Sequence, residues 1–114
     1  MTDSQKIIMS LIQESRSRDE DILSCIDRGL EKVGPGVKRY VYWHLHKIAH
    51  VEKSQILAEP DVFIEGLESI YHESVIAVQK SIVEEINSVF HLSFASAKLK
   101  DAILQARKVS VVKK

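Results

Sequence analysis

Apolar positions recur at helical spacing along nearly the whole of this chain. Ile7, Ile8, Leu11 and Ile12 share one face of a predicted helix over 4–15, and the polar run "ESRSRDED" then interrupts the stripe. Asp19 and Asp21 suit the first turn of a second helix, where carboxylates meet the positive end of the helix dipole. Its apolar stripe is Ile22, Leu23, Ile26, Leu30 and Val33. Gly34 ends it, and Pro35 enforces the turn into the next helix.

A third helix, over 36–50, separates into two faces when stepped at about 100° per residue. Val37, Val41, Leu45, Ile48 and Val51 form the apolar face, with His44 among them and Tyr40 at its edge. Arg39, Trp43, His46 and His50 form the other. "HVEKSQILAE" reads as a loop with one short turn around Ser54 to Leu57. Pro60 and Asp61 then open a fourth helix, whose buried side is Phe63, Ile64, Leu67, Ile70 and Tyr71. The longest helix is expected over 73–90. There Val75, Ile76, Val78, Ile82, Val83, Ile86, Val89 and Phe90 cover an arc of about 160°, wide enough for a central helix. "HLS" at 91–93 marks a break, Leu99, Ala102, Ile103 and Ala106 a last helix, and 109–114 a basic tail. The pattern predicts an all-α fold: a single domain over 1–114, a bundle of five to six short helices with its core over about 20–108.

Composition narrows this picture without redirecting it. With 114 residues, 45% hydrophobic and 28% charged, the chain matches one globular domain and not a disordered segment. Four Gly and two Pro are too few for the closely spaced turns of an all-β protein. Cys25 is the only cysteine, so no intramolecular disulfide forms and a reducing, cytoplasmic compartment is expected. No stretch approaches the ~20 apolar residues of a membrane span, and no membrane association is expected. The 16 basic and 16 acidic residues cancel, which argues against nucleic acid as the main partner. Their distribution is uneven: residues 35–58 carry +3, residues 59–90 carry −6 and residues 91–114 carry +5. Side-by-side helices that screen one another account for this, as does an exposed basic face.

One resemblance adds to the residue pattern. Ile26, Leu30 and Gly34, then Val37-Lys38 and "VYWHL" at 41–45, then Pro60, Phe63, Leu67, Ile70-Tyr71 and the apolar positions of 75–86 make residues 22–88 similar to a small archaeal helical domain. That uncharacterised family is an output domain at the C-terminus of signal-transduction proteins in ammonia-oxidising and methanogenic archaea. The resemblance implies a role in signalling or regulation and supplies no catalytic residues.

No constellation in the chain carries recognisable catalysis. His46 and His50 have the i, i+4 spacing of a metal pair, but a third ligand would have to come from His72, His91 or Glu52. No metal or other cofactor is expected. His44 reads as a neutral core histidine, and Cys25 as a small buried or boundary residue and not a nucleophile. The row Arg39, Trp43, His46, His50 is the partner-binding candidate, because Trp and Arg are enriched among interface hot spots. Lys100, Arg107, Lys113 and Lys114 are the candidate phosphate contacts of an alternative, nucleic-acid-associated reading. The wide arc of 73–90, with Gln79 at its middle, predicts a homodimer through Val75, Gln79, Ile82 and Ile86, because two amides can satisfy each other across a two-fold axis. The function expected is a non-enzymatic protein-interaction or self-association module.

Overall fold

The computed structural model describes the backbone of residues 3–108 and the side chains of residues 18–108. Ile7, Ile8, Leu11 and Ile12 have their side chains outside that range, and Lys113 and Lys114 lie wholly outside it. The described chain is all-helical: α1 (Asp3–Val33), α2 (Val37–His44), α3 (Pro60–Tyr71), α4 (Val75–Phe90) and α5 (Leu99–Lys108). A π-turn at Leu45–Ala49 extends α2, and short 3-10 turns at Lys53–Gln55 and His72–Ser74 lead to α3 and α4.

Two expectations about helix length are corrected. The polar run at 14–21 does not interrupt the chain, and the expected helix over 4–15 is continuous with the one that follows. "ESRSRDED" contains neither Gly nor Pro, so a loss of apolar residues there marks a change of surroundings and not a break in the backbone. The longest helix is therefore α1, at 31 residues, while α4 has 16.

The core lies where α4 runs along the C-terminal half of α1, with α3 and α5 closing over the pair. Ile22, Cys25, Ile26 and Leu30 of α1 meet Val78, Ile82, Val83 and Ile86 of α4, and Phe63, Leu67, Leu99 and Ile103 complete the cluster. Gly29 permits the closest approach: a Cβ there would lie 2.7 Å from the Cα of Ile82. At the same level the Ser81 hydroxyl donates to the Gly29 carbonyl at 2.7 Å. Ile82 and Ile86, assigned above to a dimer interface, are completely buried by α1 within the single chain. The apolar arc of α4 thus finds its cover in α1, and only its flanks, Ile76 and Val89, remain exposed.

Oppositely charged side chains pair across the contact of α1 with α4. Glu85 on α4 accepts from Arg28 at 2.9 Å and pairs with Lys32 at 2.7 Å, and these two cations hold its carboxyl below the usual glutamate range. A depressed folded-state value contributes stability that is complete above the ordinary glutamate value of 4.5 and lost as the pH falls through the folded value. Glu85→Gln should accordingly melt below the parent at neutral pH, with the gap closing in acid. A gap in denaturant midpoint that stays constant from pH 7 to pH 3 would assign the effect to packing instead.

Three histidines, His50, His72 and His91, end helical segments with positive φ. His50 and His91 sit in the left-handed helical region that commonly stops a helix. His72 is different, at φ 52° and ψ −120°, where a Cβ is strained and glycine is at ease. His72→Gly is expected to raise stability by about 1 kcal/mol, read as an increase in denaturant midpoint at constant slope. A loss of stability would show that the His72 side chain contributes more than its backbone costs.

Candidate functional site

The segment "GPGVKRYVYWHLHKIAH" builds the most distinctive surface of the molecule. Gly36 takes φ 80° and turns the chain out of α1 into α2, where Tyr40 donates its N–H to the Gly36 carbonyl at 3.2 Å. Val41 and Leu45 point into the core. Leu45 fits a notch left by Gly66 on α3, where a Cβ would come within 2.6 Å of its Cδ2. The Tyr42 hydroxyl donates to Asp27 on α1 at 2.5 Å, and Lys53 Nζ reaches the other oxygen of that carboxylate at 2.8 Å. Burial and the Asp27 carboxylate push the Tyr42 phenol far above its ordinary range, so it stays a donor at any physiological pH. These contacts lock one side of α2 and leave the other facing outward.

On that outer side Trp43 and Tyr40 are each 52% exposed. Their rings stack at 6.0 Å between centroids and 23° between planes, and His44 stands 6.2 Å from the Tyr40 ring. The core placement expected for His44 is thus corrected: it is half-buried beside an exposed ring, and no polar side chain is buried among the described residues. Ile48, expected on the apolar face, is 62% exposed. The π-turn explains this. Each residue of a π-turn rotates less than one of an α-helix, so Ile48 is carried away from the face of Val41 and Leu45, and Val51 takes its place in the core. Lys47 lies one turn after Trp43 and Arg39 one turn before it, and both are exposed. Lys47 is absent from the expected row, although its spacing of four residues from Trp43 already places it on the same helix face.

The two histidines of the expected row sit at the end of this surface. His46 is exposed, with Nδ1 2.6 Å from the Glu52 carboxylate, and His50 caps the π-turn in the left-handed conformation. Glu52 is held by the Gln55 side chain, which accepts from its N–H at 2.8 Å. No group of three or more His, Cys, Asp or Glu residues arranged for a metal occurs among the described residues.

The remaining candidates lie elsewhere. Val75 and Gln79, both half-buried, line an open groove of about 430 Å³ with Ile64, Ile76 and Lys98. Lys100 pairs with Asp61 at 3.1 Å. Arg107 bonds both oxygens of Asp19, at 3.2 and 3.3 Å, and the Leu57 carbonyl at 3.1 Å, and so ties α5 to α1. Cys25 is fully buried, and burial pushes its thiol up to about 11, the state of an inert core residue. No described helix is long and apolar enough to cross a membrane. No protein-family model, curated protein or solved structure matches the chain.

Proposed function

We propose that this protein is a non-enzymatic interaction module that binds a protein partner through the outer face of α2. The observation that carries the reading is the stacked pair Tyr40 and Trp43, each 52% exposed, whereas Phe63 is fully buried and Tyr42, Tyr71, Phe90 and Phe94 are packed partly buried against the core. Half-exposed aromatic rings on a rigid helix offer large contact area at small entropic cost, the property that makes Trp and Tyr hot spots. The setting implied by the resemblance, regulatory output in the cytoplasm of an archaeon, is compatible with such a module. Self-association belongs to the same reading, with Val75 and Gln79 on the open groove as the accessible part of the interface expected from the sequence.

The alternative of nucleic-acid association through α5 is weakened by the pairing of Lys100 and Arg107 with carboxylates of this chain. Affinity capture from archaeal extract with the parent protein and with Tyr40→Ala/Trp43→Ala, each with and without nuclease, tests the proposal. Partners retained by the parent after nuclease and lost by the variant are the expected result. Partners that survive the aromatic substitutions, or disappear with nuclease, would sink it.

A further inference from the structure

We infer that the outer face of α2 takes an acidic, apolar peptide segment, in which carboxylates flank the side chain that packs on Trp43. The inference rests on the interaction reading above and adds the chemistry of the partner. Of the basic residues between 35 and 58, Lys38 is neutralised by Glu31 at 2.9 Å and Lys53 by Asp27 at 2.8 Å. Arg39 and Lys47 have no carboxylate within ion-pair distance among the described residues, and both are exposed. They stand one turn before and one turn after Trp43, so an aromatic platform lies between two cations free to pair outward. Interface charge pairs at such a rim set orientation and association rate, while the ring supplies the anchor.

A nucleic-acid strand fits this surface less well. Glu31, held by Lys38 next to Arg39, and Glu52, held by His46 next to Lys47, border the two free cations with exposed carboxylates, which leaves room for one or two placed peptide carboxylates but not for the continuous charge of a phosphate chain. Tyr40 and Trp43 already stack on each other, and Ile48 adds aliphatic surface that base stacking does not use.

Selection of random linear peptides from a display library on the immobilised protein tests the inference. Trp43 is the only tryptophan in the chain, so its emission reports binding directly. Enriched peptides should combine Asp or Glu with Leu, Ile or Phe. Their affinity should fall about five- to tenfold in Arg39→Ala/Lys47→Ala, and with added salt. Trp43→Ala, assayed with labelled peptide, should lose about thirtyfold or more. Peptides that need Trp43 but carry no acidic residues and ignore the double substitution would overturn the acidic partner and leave the α2 surface standing. Peptides that bind Trp43→Ala as well as the parent, or a failure to enrich any, would overturn both. Quenching of Trp43 by oligothymidylate at comparable affinity would overturn the peptide in favour of a nucleic acid.

Discussion

Gly29→Ala should lower stability by about 2 to 3 kcal/mol, or roughly 10 °C in melting temperature. The sign is the opposite of what the helix alone demands. In an exposed helix interior alanine outranks glycine by ~1 kcal/mol, and Gly29 lies well inside α1. Its missing Cβ is what allows contact with α4, since the added carbon would stand 2.7 Å from Ile82 Cα, 2.8 Å from Ile82 Cγ1 and 3.0 Å from Ile82 N. Two of those three atoms are backbone, so relief requires α4 to move as a body. Such a shift strains the Ser81 bond to the Gly29 carbonyl and opens the core on both sides. Gly34→Ala is the control, because its nearest neighbour is a side-chain atom, Val37 Cγ2, at 3.3 Å. Thermal melts of the three proteins decide the matter: a Gly29→Ala protein as stable as the parent would mean that α1 and α4 have slack between them.

Ile82→Glu should abolish cooperative folding of the isolated chain. Ile82 of α4 is completely buried against α1, and no charged side chain is buried among the described residues to pair with a carboxylate placed there. A buried, unpaired charge costs more than the ~5 kcal/mol that is exceptional for a single substitution. Ile76→Glu, on the same helix but at a position 68% exposed, should melt with the parent. Circular dichroism and size-exclusion light scattering separate the possibilities. A folded Ile82→Glu protein that merely changes from dimer to monomer would place Ile82 between copies and refute the packing described above.

The sequence was most legible where apolar periodicity and breakers agree. Pro60 opens α3 as expected, α4 ends before the break at 91–93, and Leu99, Ala102, Ile103 and Ala106 are all buried. It was least legible where a polar stretch lacks a breaker, as at 14–21, because composition reports the neighbours of a helix and not its continuity. Ile56 and Leu57 were hidden for the converse reason. They sit in a segment too short to show any period, yet both are buried. At the candidate site, Arg39 and Trp43 were placed on one face by spacing alone, and both are exposed. Tyr40 was left at the edge of the opposite face, although its separation of three residues from Trp43 is the spacing that brings two rings together on a helix. Whether Trp43 faces solvent was beyond any periodicity argument, because that depends on whether another helix covers α2.

The link between Arg107 and Asp19 joins residues 88 positions apart, and the Ser81 bond to Gly29 spans 52. Many helical bundles assemble quickly because neighbours in sequence are neighbours in space. Here the pair that forms the centre of the core is α1 with α4, two helices separated by all of α2 and α3. Loop closure must therefore precede most of the stabilising contacts, and folding should be slow for an all-helical chain of this size. During synthesis the stripe of Ile22, Ile26 and Leu30 would emerge long before its cover. That apolar stripe stays uncovered until α4 and α5 have left the ribosome.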